Sequence, residues 1–467
     1  GKHTMTHPTD DRPIELKIAY IGGGSRDWAR KLMFDLALCP GLQGQVALYD
    51  IDLASARLNE ALGNWLGEQP GVVSAWRYAA VERLEDALQG ADFVVLSIQP
   101  GTLECMVEEI AIAERHGIFF PVGDTVGAPG LVRGLRAATI YAGFAQAIEA
   151  ICPRAWVINY TNPMTICTRT LTRVAPRLKV FGCCHEVFAT QRMLADLAAK
   201  ALAVEAPRRD EIRVNVTGIN HFTWVDRASY RGTDLLPLLR DHLAEPGVLR
   251  PYTREEVESW GNWFHSADQV KFTLFQRFGL LAAAGDRHLV EFLPGFTRSP
   301  EELFRWGVIR TPVSWRIGRW RDAPGKTRDL MAGREPLRLE PSDEEGVRQM
   351  GALLGLGDLV TNVNLANRGQ VENLPRDAVV ETNARFSRDE VRPLAAGALP
   401  PGLQPLMARH VANQELIVEA SLTRDRDLAF QAILGDPTNR LALDETWAMF
   451  LEMLRASRAF LPGWRIE

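Results

Sequence analysis

A short apolar run that ends in glycines limits this fold more than any other feature. Residues Lys17-Ile18-Ala19-Tyr20-Ile21-Gly22-Gly23-Gly24 read as a strand entering a glycine turn. The stretch 25–38 carries apolar residues at Trp28, Leu32, Met33 and Leu36, near helical spacing. Residues 45–50 read as a second strand closed by Asp50, and 53–66 as a second helix. That order opens a doubly wound parallel sheet of the Rossmann type. Continuous apolar runs at 92–97, 156–160 and 179–182 extend the sheet, because a strand apolar at every position needs cover on both faces.

The glycine turn suits a dinucleotide. Gly22, Gly23, Gly24 and Ser25 sit where backbone N–H groups meet a pyrophosphate, and glycine lets the phosphate approach closely. The fingerprint is partial, since Asp27 stands at the third glycine position. Asp50 closes the second strand, where an acid accepts hydrogen bonds from a ribose 2′-hydroxyl and favours NAD over NADP; Asp52 is the neighbouring alternative.

The division expected is a dinucleotide-binding domain at 13–185, then a mixed α+β domain at 186–467 for substrate, metal and oligomerisation. In the second part, 213–220 reads as a strand and 253–279 and 343–356 as helices. Strands follow near 359–364 and 377–382, and 402–457 is mostly helical. The Arg-, Pro- and Trp-rich segment 294–342 is the least regular.

With 467 residues, net charge −5 and a pI near 6.1, nothing favours nucleic acid or an anionic membrane. No run of apolar residues is long enough to span a bilayer. The residues before Met5, the expected native start, lack the apolar core of a signal peptide. Six sparse cysteines then read as reduced thiols of a cytoplasmic protein.

Gly182-Cys183-Cys184-His185-Glu186-Val187-Phe188 and Gly218-Ile219-Asn220-His221-Phe222 put a thiol and an imidazole at two strand ends. Cys184 and His221 are the donor types of an open divalent metal site. Three further polar stretches end strands or fill loops: Gly123-Asp124-Thr125-Val126-Gly127, Asn159-Tyr160-Thr161-Asn162-Pro163, and Ala284-Gly285-Asp286-Arg287-His288-Leu289-Val290-Glu291. The last holds four ionisable groups within six residues, more than a solvated turn needs.

These stretches resemble the family 4 glycoside hydrolases, NAD- and metal-dependent glycosidases whose first domain is similar to lactate and malate dehydrogenases. The resemblance rests on Ile21-Gly22-Gly23-Gly24-Ser25, Tyr160-Thr161-Asn162-Pro163, Cys184-His185-Glu186-Val187 and Ile219-Asn220-His221. Gly123 to Gly127 with Arg133-Gly134-Leu135-Arg136, and Ala284 to Gly295, point to the α-galacturonidase branch. His185-Glu186-Val187 speaks against a phosphorylated substrate. The resemblance implies oxidation at sugar C3 by NAD, deprotonation at C2, loss of the C1 aglycone, water addition and re-reduction, with manganese on the C2 and C3 oxygens. It implies Cys184 and His221 as metal ligands, Asp286 and Asp124 as the acid/base groups with either of them the base, and Asn162 on a substrate hydroxyl. It also implies a homodimer or homotetramer acting on a small uronic-acid glycoside. His185 supports a ligand or touches sugar. A uronate carboxylate needs a guanidinium, with Arg287, Arg133 and Arg136 as candidates. The alternatives within the family are α-glucuronidase and α-galactosidase. Outside it stand a plain NAD-dependent sugar or hydroxy-acid dehydrogenase and a redox-sensing NAD-binding regulator.

Overall fold

The computed structural model describes residues 12–467; Met5 lies outside the described residues. The chain forms two compact units. One takes in the chain through Ser97 with Ala323–Leu359 and Phe386–Glu390, and the other Ile98–Asp322, Val360–Arg385 and Val391–Glu467.

The first unit alternates strand and helix: β1 (Ile14–Ile21), α1 (Trp28–Ala37), β2 (Leu42–Tyr49), α2 (Leu53–Leu66), β3 (Trp76–Val81), α3 (Leu84–Leu88) and β4 (Phe93–Leu96). The strands pair in parallel in the order β4-β1-β2-β3, with Ile18 opposite Val46 and Phe93, and Val46 opposite Tyr78. The inner strands are buried on both faces, as their continuous apolar runs require. β3 escapes that pattern. Its Trp76 and Tyr78 point inward while Arg77 and Ala79 face solvent, the alternation of a half-covered edge strand.

The second unit holds α4 (Leu103–Arg115), α5 (Gly127–Ile151), β5 (Trp156–Asn159), α6 (Met164–Val174), β6 (Lys179–Gly182), α7 (Glu186–Leu202), β7 (Arg213–Ile219) and β8 (Phe222–Tyr230). β5 and β6 are parallel, and Asn364 pairs antiparallel with Gly182. β7 and β8 form an antiparallel hairpin whose other edge pairs with Leu281–Ala282. Behind this hairpin Phe222, Trp224, Val290 and Phe292 are fully buried, and Phe222 stacks on Phe292 at 4.8 Å. Truncating one such ring costs about 3–5 kcal/mol, so the hairpin turn and the helix Asp286–Phe292 are held on a stiff base.

Two expectations need correction. The stretch 253–279 is two helices, Arg254–Glu258 and Gln269–Phe278, because Gly261 takes a left-handed φ of 63° between them. The segment 294–342 contains a 19-residue helix, Val313–Met331, with Pro324 inside it; its proline and its few buried positions hide the helical period. Among the described residues, no helix is long and apolar enough to cross a membrane, and all six cysteines are free thiols.

Candidate active site

The glycine turn lies in the first unit. Gly22 has a φ of 91°, a conformation glycine adopts without strain. A Cβ on Gly23 would lie 2.7 Å from the Leu48 backbone, and one on Gly24 would lie 2.8 Å from the Asp50 carboxylate. Asp50 accepts the Gly24 N–H at 2.8 Å and the Asp52 N–H at 2.9 Å. Asp52 caps α2 through the Ser55 N–H. Asn59 was missed in the sequence. Its amide donates to the carbonyls of Gly23 and Ser25, both at 2.8 Å, and pins the turn to α2.

The charged groups converge in the second unit. His221 is the second residue of the two-residue turn between β7 and β8 and has a φ of 62°. A left-handed non-glycine costs about 1–2 kcal/mol, a strain that the buried rings beneath it sustain. Donor atoms of His221, His288 and Asp124 lie within 4.8 Å of one another. Thr125 Oγ1 donates its single proton to Asp124 Oδ1 at 2.7 Å, and it lies 2.8 Å from His221 Nδ1. With that proton spent, the hydroxyl oxygen can only accept from His221 Nδ1–H. The lone pair of His221 is then on Nε2.

The surroundings divide the two imidazoles. Burial, with repulsion from His288, lowers His221 to about 3 and keeps it neutral. Burial also opposes charge on His288, but Glu186 and Asp124 outweigh it and raise its pKa. Glu186 Oε1 lies 3.4 Å from His288 Nε2, while Glu186 Oε2 accepts the Gly285 N–H at 2.9 Å. His288 Nδ1 is buried with no hydrogen-bond partner. Asp124 is likewise penalised by burial, yet His288, His221 and Arg133 hold it well below the usual carboxylate range. Asn162 donates to Asp124 Oδ2 at 3.3 Å. Glu291 accepts the N–H groups of Val122 and Gly123 at 2.9 and 3.0 Å, and burial pushes it up to about 7.

The remaining predicted residues take different positions. Asp286 is fully buried and accepts the Val270 and Lys271 N–H groups at 3.0 and 2.9 Å; burial and the Asp268 charge push its pKa up. Burial and the charges of Glu381 and Glu186 hold the Cys184 thiol well above its ordinary value. Cys184 is not in the three-residue donor cluster. Glu381 accepts amide protons from Asn220, Asn362 and Asn364 at 2.9–3.0 Å, which ties the His221 turn to the strand beside β6. His185 precedes α7 within the electrostatic reach of Glu186 and His221. Arg133 donates to the Asn162 carbonyl at 2.9 Å. Arg136 does not share that setting. It is fully buried against Glu109 and also donates to Ser457 at 2.8 Å. Arg287 is 8% exposed, donates to Thr311 Oγ1, and has an Nε–H without a partner.

Two adjoining family profiles match this chain. The one described as family 4 glycosyl hydrolase covers residues 17–200, and its C-terminal domain covers 216–439. The chain belongs to family 4 of the glycosyl hydrolases. It is 47% identical over 461 residues to an alpha-galacturonidase of Thermoanaerobacter italicus, across 97% of this chain and 99% of that one. A crystal structure from Bacillus subtilis, described as a glucosidase, is 48% identical; it covers 94% of this chain and 100% of its own, with a TM-score of 0.89. A 6-phospho-alpha-glucosidase from gut microorganisms, solved with NAD and Mn2+, shares the fold at a TM-score of 0.78. It is 19% identical and covers 97% of this chain and 100% of its own.

Proposed function

We propose that this family 4 hydrolase is an α-galacturonidase that releases galacturonate from small pectin-derived oligogalacturonates, with NAD and manganese as cofactors. One observation carries the reading: a buried cluster of His221, His288 and Asp124, flanked by a buried arginine with a donor to spare. The end-to-end similarity to an alpha-galacturonidase supports the same choice.

The residues fit both cofactors. Glycine at 23 and 24 leaves a cradle that any Cβ would fill, and Asp50 keeps lone pairs for a ribose hydroxyl. Gly22 and Ser25 complete that turn. Imidazole and carboxylate donors suit manganese, and the unpartnered His288 Nδ1 marks an unfilled polar position. Cys184 and His221 remain the proposed ligand pair, with Asp124 and His288 as further donors. When bound, NAD reversibly takes a hydride from the sugar and manganese acts as a Lewis acid on its hydroxyl oxygens.

The chain's own groups then divide the work. Asp124 stays ionised and offsets positive charge. Asp286, held above the ordinary carboxylate range, is the base for the C2 proton, since a useful base titrates near the working pH. Asn162 orients a sugar hydroxyl, and His185 supports the ligand set. Arg287 takes the uronate carboxylate, with Arg133 beside Asn162 and Arg136 as structural cations. We place the functional division near residue 185, the protein in the cytoplasm where thiols stay reduced, and the working form as a homodimer or homotetramer.

The test is digalacturonate with a panel of nitrophenyl glycosides, with NAD, manganese and reductant present or omitted. Galacturonate release without accumulation of NADH is expected. Stoichiometric NADH would identify a plain dehydrogenase, and preference for glucuronides or galactosides would move the substrate within the family.

A further inference from the structure

One row of cations and rings runs outward from Arg287. Arg287 sits 5.3 Å over the ring of Phe264. Phe264 meets Trp315 edge to face at 5.5 Å, and Arg319 lies 5.6 Å over Trp315. Arg316 adjoins Trp315 on the same helix, Val313–Met331. Exposure rises along the row: Arg287 is buried, Arg316 half-buried, Arg319 exposed. Arg316 and Arg319 are three positions apart, so their side chains lie on one helix face at a separation close to the length of one pyranose.

Like charges in a row raise each other's cost. The Arg316 charge repels that of Arg287, and the Arg319 charge repels that of Arg316. Asp124 and Glu291 offset part of the charge at Arg316. Such a row is relieved when anions at matching spacing lie along it. The rings of Phe264 and Trp315, set edge to face, add an apolar surface of the kind that sugar C–H groups cover.

We propose that Arg287, Arg316 and Arg319 form a graded guanidinium ladder that holds two successive uronate carboxylates, the inner at Arg287 and Arg316 and the outer at Arg319. The inference rests on the galacturonide reading and adds to it a charged leaving-group subsite. The chain thus selects an acidic aglycone as well as an acidic sugar.

The experiment compares kcat/KM for digalacturonate with kcat/KM for nitrophenyl α-galacturonide, whose aglycone carries no carboxylate. In Arg319→Ala the ratio of the two falls roughly three- to fivefold, the scale of an exposed ion pair. Arg319→Glu lowers it further and Arg319→Lys restores part of it. Added salt lowers the wild-type ratio and has less effect on Arg319→Ala. A ratio that stays at the wild-type value in both Arg319→Ala and Arg319→Glu overturns the ladder. A wild-type enzyme that cleaves neither compound overturns the galacturonide reading, and the ladder with it.

Discussion

The rings of His221 and His288 are stacked, with 3.6 Å between centroids and 22° between planes. Two imidazoles this close cannot both carry a positive charge at low cost. The neighbourhood decides which one does: the two carboxylates Asp124 and Glu186 favour His288, and burial keeps His221 neutral. A divalent cation placed among the same groups would compete with a proton for His288.

Thr125 is the group that orients His221. Thr125→Val removes the oxygen that accepts from Nδ1–H and frees the ring to turn or change tautomer. Removing such a supporting hydrogen bond costs about 10- to 100-fold in metal affinity. Manganese titration by calorimetry or by the free-ion magnetic resonance signal measures it. Affinity equal to wild type in Thr125→Val rules out this orienting role.

Glu291 gives the stability a pH slope. Its folded pKa of about 7 lies above the ordinary 4.5, so the folded protein favours the protonated form. The stability this contributes is complete below the unfolded value and is lost as pH rises through about 7. The span corresponds to about 3 kcal/mol at 1.36 kcal/mol per pH unit. Glu291→Gln keeps an acceptor for Val122 and Gly123 but cannot ionise. Urea unfolding at about pH 5 and about pH 8 is expected to show a smaller pH loss for the variant than for wild type.

The parallel strands and the glycine turn were legible in the sequence, because a strand buried on both faces and a glycine that leaves no room for Cβ both leave local marks. His221 was legible as the end of a strand. The partners that give it a chemical state were not. Thr125 lies 96 residues away in the chain, and the two meet only when the neighbouring Val126 and the β7–β8 hairpin share a core. Glu186, His288 and Glu291 stood inside quoted stretches without a role, since a role depends on which carboxylate faces which ring. Arg136 shows the converse failure. Its spacing from Arg133 suggests a common face, but the side chain that claims it, Glu109, carries no mark in the sequence.

Gly24 tests the cofactor end. Gly24→Ala places a methyl group 2.8 Å from an Asp50 oxygen and 2.7 Å from Ser55 Cβ, so the turn must open or Asp50 must swing away. Either movement removes the close backbone approach that a pyrophosphate needs. NAD affinity, read from quenching of protein fluorescence, is expected to fall at least about tenfold, the equivalent of about 1.4 kcal/mol. Manganese affinity measured without NAD separates a local effect from a general loss of structure.

Arg136 separates a structural cation from a substrate-binding one. Its guanidinium is fully buried with Glu109, and Ser457 bonds to both partners at 2.8 and 2.9 Å. Burial raises the Glu109 pKa, and the Arg136 charge opposes that rise. Arg136→Met therefore strands a carboxylate in the core, a change that costs about 3–5 kcal/mol. Adding Glu109→Gln removes the stranded charge and recovers much of that loss, because a neutral pair avoids the desolvation of both ions. Chemical unfolding of the two single variants and the double variant measures the coupling. A structural pair gives a large coupling in stability, and the folded double variant keeps its KM for digalacturonate. A substrate-binding Arg136 instead gives a raised KM that Glu109→Gln does not restore.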